Sequence, residues 1–424
     1  MPYASIFPAS GLISLPTITL SSADKLFLFL FVFRYLRFVV HFVTGCFLYK
    51  PAPQRDKPRY TNRDVAVIIP TVAPYTKEFI RCCETVLANR PLYVVICGVG
   101  DKMRDYISDV VGAHRLRERF PDTEIRVVRT SRPNKRQQVA RSSLEVDPSR
   151  AAICINADDH VYWKPTFLAR LVPAFEDPSV GFAGTNKRVI RDTRGGPWAS
   201  YTNFLACTYL ARHNFQIRSE PYLDGAVFVV SGRTYAIRTA ILRSEAFRRK
   251  YLGERYLFGL RGPLNVDEDN CITRWMLRNN WRVAIHPASL RSLHTWRTYP
   301  WSVYAIYLSQ LVSAAALWDP LLVWALRRTS VYVAADEGRQ SVLLAVMVSW
   351  ILFSKMVKIA MHFVRHPADV VWLPGYLAFA YAHSFIKLYC LFTFCDHSWN
   401  GRDLADLDSV MERESLKLKL KLTA

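Results

Sequence analysis

The sequence predicts an α/β domain on a mainly parallel sheet, set between α-helical transmembrane segments. Two observations carry that expectation. Between residues 65 and 156, short β-branched or apolar runs alternate with helical stretches, as βαβ units require. Elsewhere the apolar residues, 51% of the 424, gather in long runs near the two ends.

The first long run starts with "LFLFLFVF" (26–33) and reaches Tyr49. Lys25 ahead of an apolar core would also suit a signal peptide, but no small-residue cleavage site follows. Arg34, Arg37 and His41 interrupt the run on one helical face. Such a helix turns its stripe to protein or lies along the interface. The expectation is a tail over 1–23 and a membrane helix over 24–49. A polar linker, 50–64, comes next, with Lys50, Arg55, Lys57, Arg59 and Arg63, which by the positive-inside rule put the following domain in the cytosol. Three further apolar stretches cover 300–326, 341–364 and 369–394. Each is about long enough to cross a ~30 Å hydrocarbon core, the first alternatively lying along the surface. One helix before the domain and three after it would leave both ends outside. Lys417, Lys419 and Lys421, in the tail over 395–424, argue for an inside end.

In the domain, 65–298, strands are expected at "VAVIIP" (65–70), "LYVVICGV" (92–99), "EIRVVRT" (124–130) and "AAICIN" (151–156). Helices are expected at 76–89, 103–120 and 134–146, and a fifth strand in "VGFAGTNKRV" (180–189). "DGAVFVVSGRTYAIR" (224–238) reads as a strand, a turn at Ser231-Gly232 and a basic helical start. Parallel sheets bind ligands beyond the carboxyl ends of their strands, so chemistry is sought there.

Several function classes fall away. The net charge of +21 is spread over loops, helices and a Lys-Leu tail without an aromatic-interleaved patch, so no nucleic-acid partner is expected. An anionic bilayer and a phosphorylated substrate suit it better. The nine scattered cysteines have no paired metal-ligand spacing, which suits reduced thiols and neither disulfides nor zinc. No Gly-rich phosphate loop is present.

At the fourth strand's end, "NADDHVYW" offers Asp158 and Asp159, and Mg²⁺ favours a carboxylate or two plus phosphate oxygens. A polar turn with Asp158 capping a helix is the plainer reading. Lys135 and Arg136 in "NKRQQVAR" follow the third strand and could meet phosphate or uracil, or form a solvated helical turn. Lys187 and Arg188 end the fifth strand. In "NVDEDNCITRW" (265–275), Asp267, Glu268 and Asp269 crowd a helix start, where the helix dipole favours carboxylates. A neighbouring like charge opposes that effect, so Asp269 is a plausible general base; simple capping by acids would need only one of the three.

The order VIIP, "KRQQ", "NADDH", "GTNKRV", "VVSGRT" and "DEDNCITRW", bracketed by apolar helices and followed by "SWNGR" (398–402), resembles the processive family 2 glycosyltransferases. The likeness is to the fungal type 2 branch related to hyaluronan and chitin synthases. It implies a nucleotide-diphospho-sugar transferase (GT-A type) fold with a cytosolic active site in a multi-pass plasma-membrane protein. It further implies inverting transfer from a UDP-sugar onto a growing β-linked polysaccharide of the cell surface or wall, passed out through the same helices. Mg²⁺ or Mn²⁺ would be held by Asp158, the second acid of the family's metal motif, whose first acid is here Asn156; Asp159 could compensate. Asp269 matches the base, with Glu268 orienting it. Lys135, Arg136, Asn156, Asp158 and Lys187 would meet the nucleotide sugar. Ser231, Gly232 and Arg233 match the acceptor side, where Arg274 and Trp275 are also placed.

One part of the pattern is missing. The family's Gln-x-x-Arg-Trp motif does not occur between "WRVAIHPASL" (281–290) and "RSLHTWRTYPWSVY" (291–304), and Arg274-Trp275 lies too early to replace it. The departure leaves open a coding segment lost from the gene or a degraded relative that binds without turnover. A transporter without enzymatic function would leave the acidic motifs idle.

Overall fold

The computed structural model describes residues 20–48, 56–219, 230–255, 259–260, 262–264, 268–284, 301, 314–393 and 407–423. The elements run in order α1 (Ser22–Val43), β1 (Val65–Pro70), α2 (Lys77–Leu87), β2 (Tyr93–Val99), α3 (Gly100–Ala113), α4 (Leu116–Arg119), β3 (Glu124–Thr130), α5 (Lys135–Ser143), β4 (Ile153–Ala157) and α6 (Phe167–Leu171). They continue with β5 (Val180–Gly184), α7 (Gly196–Ser219), β6 (Thr234–Arg238), α8 (Thr239–Arg243), α9 (Glu245–Leu252), α10 (Glu268–Arg278) and β7 (Arg282–Ala284). Four longer helices close the chain: α11 (Ala315–Leu326), α12 (Glu337–Met356), α13 (Leu373–Phe392) and α14 (Leu407–Thr423).

One seven-stranded sheet has the order β3-β2-β1-β4-β6-β5-β7. β1 and β4 are buried along their whole lengths, as the β-branched runs require when both faces are covered. α2, α3 and α6 cover one face and α5, α8, α9 and α10 the other. Only β6 runs against its neighbours. This corrects the expected basic helix after the Ser231-Gly232 turn: Thr234–Arg238 is a strand, wedged between β4 and β5, and the helix starts only at Thr239. Because β6 is reversed, its beginning faces the carboxyl ends of β4 and β5, with Thr234 opposite Ala157 and Tyr235 opposite Gly184. The 231–233 turn therefore sits at the same sheet edge as Asp158.

Among the described residues, two helical stretches are long and apolar enough to cross a membrane, Ser22–Leu48 and Glu337–Arg365. α11 alone, at 12 residues, would reach only about 18 Å. Residues 302–313 of the expected 300–326 segment lie outside the described residues. α13 has the length but is not among those stretches, and it carries His383 and Lys387 in its second half. α1 packs against α11 and α12 through Tyr35, Phe38, Leu322, Met347 and Ile351. α7 joins these helices to the domain. Phe204 meets Ile359 and Tyr376, and Arg191 pairs with Asp369 at 2.7 Å.

Candidate active site

The site forms where the first turn of α5, the end of β4, the 231–233 turn and the first turn of α10 meet. Asn134 caps α5, its Oδ1 accepting from Gln137 N at 3.1 Å, and so fixes where Lys135 leaves the helix. Lys135 Nζ lies 2.7 Å from Asp158 Oδ1 and 2.5 Å from Glu268 Oε1, and donates to Gly232 O at 3.1 Å. Gly232 N in turn donates to Asp269 Oδ2 at 2.8 Å, and Asn156 Nδ2 to Gly232 O at 3.2 Å. A Cβ on Gly232 would stand 2.5 Å from Glu268 Oε1, so any side chain there would have to displace the Glu268 carboxylate.

The charges are tuned by one another. Burial disfavours the Lys135 ammonium, but the Asp158 and Glu268 carboxylates outweigh it and hold the group protonated. Burial pushes the Asp158 carboxyl up, and Lys135 only partly offsets that. Burial also works against ionised Glu268, yet there Lys135 wins and keeps it below the ordinary carboxylate range. Lys187 is pushed down to about 8 by burial and the Arg233 cation, against the pull of Asp269 and Asp158. Asn214 of α7 holds the Lys187 backbone, its Oδ1 accepting from Lys187 N at 3.1 Å.

Lys135, Asn156, Asp158, Gly232, Glu268 and Asp269 are thus directly linked, with Lys187 and Arg233 alongside. Other expected site residues point elsewhere. Arg136 is almost fully buried, donating to Tyr251 O at 2.9 Å and Glu254 Oε2 at 3.0 Å, because the next helical position turns it beneath the sheet. It is no solvated phosphate ligand. Asp159 Oδ2 accepts from the Thr71 hydroxyl at 2.7 Å, and its Oδ1 lies 3.0 Å from His160 Nδ1. Arg274 reaches Glu254 at 2.8 Å, and Trp275 packs edge-on against Phe247, so both face α9 and not the 231–233 turn. The 285–300 stretch, where Gln-x-x-Arg-Trp was sought, and Asp267 lie outside the described residues. Nor does Asp158 cap a helix: the next, α6, starts at Phe167.

Sequence reading missed Thr71, Gln138, Asn214 and Glu254. Gln138 Nε2 donates to Thr71 O and Cys97 O, tying the ends of β1 and β2. Thr71 directly follows β1 and could have been found by the rule that pointed to Asp158.

A divalent cation at this edge would share Asp158 with Lys135, whose Nζ lies 2.7 Å from Asp158 Oδ1, and Asn156 Oδ1, buried without a hydrogen-bond partner, is a further side-chain oxygen on the same strand. Asp159 is committed to Thr71. One carboxylate suffices for Mg²⁺ or Mn²⁺ when a diphosphate supplies most of the other ligands.

A mostly parallel sheet carrying carboxylates and cations at its carboxyl edge is where an α/β protein binds a charged ligand. Residues 62–315 match the family described as glycosyltransferase like family 2. The chain belongs to this family and is a glycosyltransferase with the nucleotide-diphospho-sugar transferase fold. It is 30% identical to a type 2 glycosyltransferase of Zymoseptoria tritici over 410 residues, covering 89% of this chain and 83% of that one. A type 2 glycosyltransferase of Pyricularia oryzae is also 30% identical, over 90% of this chain and 83% of its own length. A mannosyltransferase of Pyrobaculum calidifontis, solved with GDP-Man and Mn²⁺, is 16% identical with a TM-score of 0.41, covering 80% of this chain and 98% of that one. At that level the likeness carries nothing about what this chain binds.

Proposed function

We propose that the protein is a membrane-embedded inverting glycosyltransferase, moving a sugar from a UDP-sugar onto a growing β-linked polysaccharide. The observation that carries this reading is the Asp269–Gly232–Lys135–Asp158 chain of contacts, which keeps a base and a diphosphate-side carboxylate in one cluster. In the forward step an acceptor hydroxyl gives its proton to Asp269 as its oxygen attacks the anomeric carbon from the face opposite UDP. A carboxylate plays the same part toward water in inverting glycosidases. The bond to the diphosphate breaks with its electron pair, and inversion follows. Gly232 N–H holds Asp269, Lys135 holds Glu268 beside it, and Lys187 and Arg233 offer charge to the departing diphosphate. Mg²⁺ or Mn²⁺ at Asp158 would supply further neutralisation. The resemblance to hyaluronan and chitin synthases and the apolar helices support a processive, multi-pass enzyme of the plasma membrane with its domain in the cytosol and a cell-surface product.

Release of UDP from UDP-sugars by isolated membranes with Mg²⁺ or Mn²⁺ tests the reading. Asp269→Asn is expected to lower release by about 10²–10⁴, the usual worth of a general base. Undiminished release in that variant would remove the assigned base. The missing Gln-x-x-Arg-Trp favours a second reading, a relative that binds without turnover; UDP binding with no UDP release from the wild type would select it.

A further inference from the structure

The loop that carries Lys187 away from β5 is strapped along one face of α7. Asn214 accepts from Lys187 N at 3.1 Å and donates to Lys187 O at 2.5 Å. Cys207 Sγ lies 3.9 Å from Val189 O. Asn203 Nδ2 donates to Ile190 O at 3.1 Å, and its Oδ1 accepts from Asp192 N at 3.1 Å. Asn203, Cys207 and Asn214 are four and seven residues apart and so share a helical face. The loop therefore runs back along α7, from the catalytic edge toward the start of the helix.

Arg191 closes the far end of the strap. Its Nε and Nη2 grip the two Asp369 oxygens at 2.8 and 2.7 Å. Nη1 donates to Asp192 O at 2.8 Å, Ser200 O at 2.9 Å and Asn203 Oδ1 at 3.2 Å, and Nη2 also donates to Ser200 Oγ at 2.9 Å. These contacts occupy all the N–H groups a guanidinium has. The two side chains are only 6% and 8% exposed, so the pair is held out of water. Asp369 also meets His362 Nε2 at 2.8 Å, near the end of the Glu337–Arg365 stretch.

A buried ion pair adds little stability over well-packed apolar residues, and its best-attested use is to fix register. Docking α7 on the apolar helices does not depend on this one. Phe204 already packs on Ile359 and Tyr376. Tyr201 Oη donates to Gly375 O at 2.9 Å, and a Cβ on Gly375 would stand 2.7 Å from the Tyr201 ring, so the two helices meet closely there as well. What the Arg191–Asp369 pair adds is a fixed end for the loop.

We propose that Arg191 and Asp369 are positioning residues that set where Lys187 meets the donor's diphosphate. The proposal rests on the glycosyltransfer reading above and deepens it by naming residues beyond the catalytic edge on which that site depends. Both act through Lys187, four residues before Arg191 on the same strap.

A double-mutant cycle on UDP affinity tests it, with UDP and Mg²⁺ titrated calorimetrically into the full chain purified in detergent. Lys187→Ala is expected to weaken UDP binding at least about tenfold, the worth of a charge-assisted contact. Arg191→Lys and Asp369→Asn should each weaken it about fivefold when Lys187 is present, because a point charge or a neutral amide cannot keep the bidentate grip. With Lys187→Ala already in place, each should change it by less than about twofold, since groups that act through one another do not add. Thermal unfolding of the same samples shows which variants are folded, and Asp369→Asn, which keeps the side chain's size, serves should Arg191→Lys fail. Equal losses with and without Lys187 would make the pair a support of the fold alone and overturn the proposal. So would unchanged affinity in both variants. A wild type that binds no UDP strikes the glycosyltransfer reading and this proposal with it, whereas UDP binding with additive losses strikes this proposal only.

Discussion

Lys187 shows how a single side chain can set a pH limit. Burial and Arg233 bring its ammonium down to about 8, so it is charged below that value and neutral above it. In the proposed reaction its use to the diphosphate would be electrostatic, and the neutral amine would offer none of that. The donor's kcat/KM, which reports the free enzyme, is therefore expected to fall as pH rises through about 8. Lys187→Arg, whose guanidinium stays protonated, should remove that limb. A profile unchanged by the substitution would show that another group sets the limit. Lys135 behaves oppositely, since its two carboxylates keep it charged across the same range.

At the level of elements, the site depends on α5 and α10 keeping their relative position, and Glu254 at the end of α9 holds both. Its Oε2 accepts from Arg136 of α5 at 3.0 Å and its Oε1 from Arg274 of α10 at 2.8 Å. Glu254→Leu removes the carboxylate from a nearly buried guanidinium, which should cost roughly 3–5 kcal/mol of stability. A shift of α10 by about 1 Å would cost a further ~100-fold in rate. Thermal unfolding and kcat measured together check this, and a destabilised protein with full kcat would show that the tie serves stability alone. The same residues explain what the sequence could and could not disclose. β1 and β3 match their β-branched runs residue for residue, and α2 and α5 begin at Thr76 and Asn134 caps, because local propensity and capping set them. Lys135, Asp158 and Asp269 stand out through their spacing after strands and at a helix start. Arg136 misleads because its neighbour Lys135 looks the same on paper, and only the helix's rotation separates a site cation from a buried strut. Glu254 has no motif at all. Its role exists only once α9 lies between α5 and α10, and β6 likewise needs both neighbouring strands to become a strand.

On the scale of the whole chain, contacts between distant segments fix how it is threaded. Asp24, at the start of α1, accepts from Ser330 N at 2.9 Å and Ser330 Oγ at 2.7 Å. Ser330 opens the short helix Ser330–Val333 between α11 and α12, so that connection and the beginning of α1 share one end of the apolar helices. The other end of α1 meets α7, the helix that adjoins the catalytic site. At the far terminus α14 lies on α3 of the catalytic domain, with Met411 buried in the core and Lys102 Nζ 2.5 Å from Glu412 Oε1. On the proposed membrane reading, an element docked on the domain lies on the domain's side of the bilayer, so the crossings between β7 and α14 would be even in number. The segment expected at 300–326 and the Glu337–Arg365 stretch would satisfy this as an out-and-back pair, with α13 along the surface, in keeping with His383 and Lys387. The lysines of the tail fall on the domain's side too, as their charge requires. In sealed vesicles with the domain outward, a tag after Ala424 should be cleaved by added protease at the same rate as one in the 50–64 linker, while a tag before Ser21 should be cleaved only after detergent is added. Protection of the tag after Ala424 would require an odd number of crossings and would separate α14 from the domain surface on which it packs.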